Sequence, residues 1–171
     1  QEYTAAHVIN EATEQELIEI FKTLGEIRSP FRVVRAIVND RKITPYKTTR
    51  ELASLIERVE GWRKKGFHPA TQFFMALRLK VNGELEHLTY ALPELMKKLK
   101  IGGRMGVISF HSLEDRIVKN IFKDSDLGKP IHKRVIIGSD EEIKTNPRAR
   151  SAKLRVFERR VQDELEGYRT R

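Results

Sequence analysis

The hydrophobic pattern of this chain changes period once, and that change sets what it can fold into. For roughly its first hundred residues, apolar side chains recur at helical spacing. A four-residue run, Met105-Gly106-Val107-Ile108, then breaks the pattern. So short an apolar run, bounded by turn residues, suits a strand buried on both faces of a parallel sheet. Short helices, then a buried strand, a helix and late strands predict an α/β protein in two parts. The boundary falls in the basic, glycine-bracketed segment Gly61 to Phe67, giving a small helical domain over 1–66 and a sheet-bearing domain over 67–171.

Local signals support this reading. Thr13-Glu14-Gln15-Glu16 and Thr48-Thr49-Arg50-Glu51 are capping boxes, in which a threonine hydroxyl and a glutamate carboxylate satisfy orphan N–H groups reciprocally. Ser29-Pro30 predicts a cap followed by proline at the first helical position. Phe74, Leu77, Val81, Leu85, Leu88 and Leu92 mark the buried stripe of one long helix from His68, kinked or divided at Pro93. Ser112 is expected to cap the next helix, with Glu114 and Asp115 favourable in its first turn. Val135-Ile136-Ile137 and the alternating Ala152, Leu154 and Val156 predict two strands that pair antiparallel.

Charge points to a polyanionic partner. Thirty-three Lys+Arg oppose 24 Asp+Glu in 171 residues, a net charge of +9. Neutralising phosphates releases condensed counterions, so such a chain favours nucleic acid. The excess is clustered at Lys144, Arg148, Arg150, Lys153, Arg155, Arg159 and Arg160, and again at Arg63, Lys64 and Lys65 beside Trp62 and Phe67. Basic residues next to aromatics suit single-stranded nucleic acid, where phosphates are neutralised while bases stack. No apolar run approaches a membrane span. With no cysteine, disulfides and thiolate chemistry are excluded, and a reducing cytoplasm is the expected compartment.

Chemistry concentrates between Ser109 and Arg116. There a strand's carboxyl end meets a helix amino end, the place where open α/β sheets bind ligands. Ser109, Phe110, His111, Ser112 and Arg116 are the candidates. His68 could face the same crevice, or cap the long helix through a ring nitrogen. Histidine–carboxylate spacing of the metalloenzyme kind is lacking, so no metal is expected. Neither a Gly-x-Ser-x-Gly elbow nor a Walker loop occurs, and the Gly-x-Gly-x-x-Gly turn of dinucleotide sites is missing.

Three segments carry a resemblance. They are Lys65-Gly66-Phe67-His68-Pro69-Ala70-Thr71 with Ala76-Leu77-Arg78, Val81-Asn82 and Glu84-Leu85; Gly102-Gly103-Arg104 leading into Val107 to Lys119; and Asn146-Pro147-Arg148-Ala149-Arg150-Ser151-Ala152-Lys153-Leu154-Arg155. In that order they resemble the MraW-type small-subunit ribosomal RNA cytosine-N4 methyltransferases. The chain departs from the family pattern at Gln72, usually basic, and at Met75, usually glutamine. The resemblance implies a Rossmann-like class I methyltransferase using S-adenosylmethionine, with a helical insert followed by the carboxyl-terminal half of the sheet domain. The chain opens on Gln1 and is expected to be a fragment, inactive alone. The cofactor site would lie mainly upstream, and no cofactor-binding residue is assigned here. By the same resemblance, Phe110 or His111 would stand beside the target base with Ser109 and Ser112 as polar contacts. Arg148, Arg150 and Lys153 would hold the backbone of ribosomal RNA, free or in the small subunit. An open sheet edge would also make a homodimer available. The competing expectation is a non-catalytic basic module for RNA binding or ribosome assembly.

Overall fold

A computed structural model describes residues 3–61 and 68–161. The basic-aromatic group from Trp62 to Phe67 lies outside the described residues. Contacts divide the chain into two compact units, Gln1–Glu84 and Leu85–Arg171, so the division falls later in the chain than the 66/67 boundary. The reason is a helix whose buried side belongs to the first core.

Among its described residues the first unit is helical: α1 (Ala5–Glu11), α2 (Glu14–Thr23), α3 (Phe31–Asp40), α4 (Thr49–Glu60) and α5 (Thr71–Asn82). Both capping boxes form, at Thr13 with Glu16 and at Thr48 with Glu51. Helix α3 starts one residue later than the Ser29-Pro30 signal implies: Pro30 is its N-cap, and no side chain caps it. Leu17, Phe21, Val33, Val34, Ile37 and Ile56 are sealed in a common core, together with Phe73, Ala76 and Leu77 of α5. The rings of Phe21 and Phe73 meet edge to face, centroids 4.9 Å apart, the geometry their quadrupoles prefer. Burying these apolar faces together is what holds helices of 7–12 residues, too short to persist alone. Asn10 pins the loop before α4, its amide donating to the Tyr46 carbonyl and its Oδ1 accepting the Tyr46 N–H, both at 2.8 Å.

The single long helix expected from His68 is two helices. The break falls at Gly83, left-handed with φ 57°, where glycine carries no Cβ penalty. Pro93 instead sits inside α6 (Glu84–Lys98). The buried stripe also shifts, to Phe73, Ala76, Leu77 and Leu79 on α5 and to Leu92 and Met96 on α6.

The second unit carries the sheet: β1 (Arg104–Ser109), α7 (Ser112–Asp124), β2 (Gly128–Pro130), β3 (Ile136–Ile137), α8 (Asp140–Thr145), a 3-10 helix (Pro147–Arg150) and β4 (Lys153–Arg159). The α/β class therefore holds. Its ladders, however, are antiparallel. Strand β4 is central, paired to β1 from Arg104↔Glu158 to Ser109↔Lys153, with β2 and β3 along its other edge. Strands β1 and β2 thus run parallel to each other with β4 inserted between them. The late antiparallel pair forms as expected, Ile136 opposite Leu154.

Burial of β1 on both faces does not occur. The strand alternates: Met105 and Val107 pack with Leu92, Met96, Val118, Phe122 and Phe157, whereas Ile108 on the other face is 58% exposed. Helices α6 and α7 cover one face only, and among the described residues β1 is paired along one edge only. The turn before β1 is tied to the end of β4: Gly102 N–H donates to the Arg159 carbonyl at 2.8 Å, and Arg159 N–H to the Gly103 carbonyl at 2.9 Å. Gly102 has φ 77°, and a Cβ on Gly103 would stand 2.7 Å from the Lys100 carbonyl oxygen. Both positions therefore require glycine. Among the described residues, no helix is long and apolar enough to cross a membrane.

Candidate functional site

The junction at the carboxyl end of β1 is held by its own side chains. His111, not Ser112, is the N-cap of α7: in extended conformation, its Nδ1 accepts the Glu114 N–H at 3.4 Å. Imidazole replaces the expected hydroxyl because its ring nitrogen reaches the same orphan donor. Glu114 completes the cap by accepting the Phe110 N–H at 2.9 Å, and its Oε1 lies 3.2 Å from His111 Nε2. That Nε2 is buried and off the angle of a hydrogen bond. In the neutral ring a nitrogen that accepts an N–H leaves the proton on its neighbour. His111 therefore has no lone pair to offer a substrate proton while the cap stands.

The neighbouring candidates separate by exposure. Ser109 is 4% exposed and its Oγ donates to the Lys153 carbonyl at 3.4 Å, so it braces β1 against β4. Phe110 is 55% exposed, its backbone fixed by Glu114 while its ring is presented to solvent. Ser112 lies in the first turn of α7, and Arg116 is exposed one turn further on. Both engage other groups.

Beneath the turn lies a pair that sequence spacing does not reveal. Arg155 of β4 grips Asp115 of α7 with two hydrogen bonds, Nε to Oδ1 at 2.7 Å and Nη2 to Oδ2 at 3.1 Å. Both side chains are 14% exposed. Lys153 Nζ stands 3.9 Å from the same carboxylate. The Arg155 hydrogen bonds, aided by the positive charges of Arg155, Lys153 and Lys119, hold the Asp115 carboxyl below the usual range against the opposing effect of burial. The fork geometry fixes the amino end of α7 on the sheet. The only sequence signal was an acid in α7 and a base in β4, forty residues apart.

Arg148 and Arg150 project from the 3-10 helix and are exposed; between them Ala149 is buried and anchors the turn. Lys153 begins β4 and pairs with Ser109 of β1. Candidates at 109–116 and at 153 thus share adjacent strands, with Asp115 linking them. His68 belongs to the first unit. Its Nδ1 accepts the Ala70 N–H at 3.1 Å, and its Nε2 lies 3.0 Å from Glu57 Oε1. Both ring nitrogens have internal partners, but His68 does not cap the helix that follows: the N-cap of α5 is Ala70, and no side chain caps it.

Comparison with known proteins bears on all of these residues. The model of the MraW methylase family matches residues 1–160. A protein of Bdellovibrio bacteriovorus named "Ribosomal RNA small subunit methyltransferase H" is 61% identical over 166 residues, covering 96% of this chain and 51% of its own length. Proteins of the same name from Coprothermobacter proteolyticus and Cyanothece are 46% and 48% identical. They cover 94% and 98% of this chain, and 54% and 55% of their own lengths. The chain spans about half the length of the curated relatives it matches.

Proposed function

The chain belongs to the MraW methylase family, and from that membership we propose that it is the RNA-facing part of an enzyme that methylates a cytidine N4 amine of small-subunit ribosomal RNA. The observation that carries this reading is the 61% identity to a ribosomal RNA methyltransferase across 96% of the chain. In this reading the helical unit is an insert and the second unit is the carboxyl-terminal part of the catalytic domain.

S-adenosylmethionine would supply an electrophilic methyl group. The groups at the end of β1 do not form a set for holding it, because the His111 ring and the Glu114 carboxylate are taken up in capping α7 and Ser109 is buried. No cofactor contact is assigned to this chain. What its residues do is place the acceptor. An exocyclic amine of cytosine has its lone pair delocalised into the ring, so alignment of the base contributes to rate through orientation. The exposed Phe110 ring supplies a stacking surface. His111 and Glu114 fix the backbone from which that ring projects, and act as positioning residues. Ser112 and Arg116 are the polar candidates beside it. Arg148 and Arg150, exposed on the 3-10 helix, and Lys153 at the start of β4 are proposed to neutralise phosphates and set register.

The test is methyl transfer to small-subunit RNA by the full-length protein containing this chain. Phe110→Ala should reduce kcat/KM by about tenfold or more, with the melting temperature preserved because the ring is exposed. Phe110→Tyr should restore most of it, since base–aromatic stacking is worth about 1–3 kcal/mol. Equal activity in Phe110→Ala would remove the stacking surface from the mechanism. Separately, Arg148→Ala with Arg150→Ala should lower the slope of log affinity against log salt by about 1.4 for single-stranded RNA.

A further inference from the structure

Lys153 is tied to both ends of the turn that presents Phe110. Before the ring, Ser109 Oγ donates to the Lys153 carbonyl at 3.4 Å, and the two residues face each other in the ladder between β1 and β4. After it, the Lys153 ammonium stands 3.9 Å from Asp115 Oδ2. One residue of β4 thus meets the chain on either side of Phe110. The same segment carries Arg150, at the end of the 3-10 helix just before β4.

The charges of this group do not balance. The Asp115 carboxylate already accepts from Nε and Nη2 of Arg155, at 2.7 and 3.1 Å. Lys119 is a third cation acting on the same carboxylate, so one anion faces three positive charges. At 3.9 Å the Lys153 ammonium is in ion-pair range of Asp115 but makes no hydrogen bond to it, and the carboxylate takes up none of its three donors. The lysine side chain is 35% exposed, against 14% for both Asp115 and Arg155. The pair is fixed, and the lysine is steered by it with its charge open to a ligand. A charge placed in this way marks register on a nucleic acid, because phosphate contacts set where the strand lies and therefore which base is presented.

We propose that Asp115 is a positioning residue for methyl transfer: by holding the Lys153 ammonium beside the Phe110 turn, it fixes how far along the RNA the stacked base lies from the phosphate that Lys153 neutralises, and so which cytidine is methylated. The proposal rests on the ribosomal-RNA reading above and deepens it, since Asp115 touches no RNA and acts on it through Lys153. Arg155 keeps the carboxylate aimed, and Ser109 keeps the lysine backbone level with the start of the turn. A misplacement on the order of 1 Å at the reacting atoms costs about a hundredfold in rate. A displaced ammonium therefore shows as lost discrimination between neighbouring nucleotides.

The experiment is methyl transfer by the full-length protein containing this chain, to small-subunit RNA and to the same RNA with the methylated cytidine displaced by one nucleotide. The ratio of the two kcat/KM values measures register. Asp115→Asn should narrow that ratio by about threefold or more, and should leave it unaltered in a protein that already carries Lys153→Ala. Lys153→Arg keeps the charge but moves it onto a longer, planar group. It should narrow the ratio likewise, while RNA affinity stays within about twofold of wild type. Because Lys153 is part-exposed, this variant decides the matter even if Asp115→Asn fails to fold. A wild-type ratio in both variants overturns the proposal. So does an equal narrowing by Asp115→Asn with Lys153 present and with Lys153→Ala, which would place its effect in the packing of α7. If Phe110→Ala still lowers transfer in either case, the ribosomal-RNA reading stands without Asp115. A full-length protein that methylates neither RNA defeats both.

Discussion

At position 26 a glutamate occupies the backbone region usually reserved for glycine, while the glycine beside it is committed to a close approach. The two demands fall on neighbouring residues and only one is met by composition. Glu26→Gly should therefore be more stable than Glu26→Ala by about 1 kcal/mol in urea denaturation, the reverse of the usual ranking. Because both variants lose the carboxylate, its own contacts cancel in the comparison. Asp115 makes a pH-dependent prediction. Its folded carboxyl titrates below the unfolded value, near 3.9, because Arg155 stabilises the anion. That contribution is fully present above about pH 4 and is lost as pH falls through the depressed folded value. Asp115→Asn should cost about 2–3 kcal/mol at neutral pH by leaving Arg155 unpaired at 14% exposure. The deficit relative to wild type should shrink as the solution is acidified below about pH 4. A deficit constant down to pH 2 would contradict the assignment.

Among the elements, α7 and β1 show what local pattern reveals and what it hides. The amino end of α7 was legible as a cap with acids in the first turn. The capping atom was not, because serine is the commoner N-cap and His111 and Ser112 stand side by side as candidates for the first turn. His111→Ala should cost about 1 kcal/mol and His111→Asn should recover most of it, measured by thermal melting. Strand β1 was legible as a strand, and its two-sided burial was not borne out. Alternation is hard to read in Met105-Gly106-Val107-Ile108, since glycine and isoleucine occupy the outer positions where a polar residue would mark the solvent face. Ile108→Thr should change stability by no more than about 0.5 kcal/mol, whereas Phe122→Ala beneath the opposite face should cost about 3–5 kcal/mol. Strand β2 escaped notice for another reason. Gly128-Lys129-Pro130 has no β-branched residue, and it pairs because a glycine fits where a Cβ would come within 2.0 Å of the Glu158 carbonyl oxygen.

For the whole molecule, the class and the two-part organisation could be read from period and order alone, since each element's core face is written locally. The point of division could not. Helix α5 carries apolar residues on more than one side, so its sequence does not say that Phe73, Ala76 and Leu77 belong with α2. The Asp115–Arg155 pair was hidden for the same reason, because forty residues of chain and a strand register lie between its members. Separate cores predict separate responses. Leu17→Ala, at a fully buried position of the first core, should cost about 2–5 kcal/mol. It should raise amide hydrogen exchange within 3–61 and 68–84 while leaving 85–161 protected.

The last strand also reaches back to an earlier helix. Arg159 Nη1 donates to the carbonyl of Lys97 at 2.6 Å and to that of Leu99, so the final turn of α6 is closed by a guanidinium from β4. A cation there opposes the negative end of the helix dipole. Helix α6 and strand β4 are thereby tied end to end by one side chain, so Arg159→Ala should loosen both together, read as faster amide exchange at the close of α6 and of β4 alike.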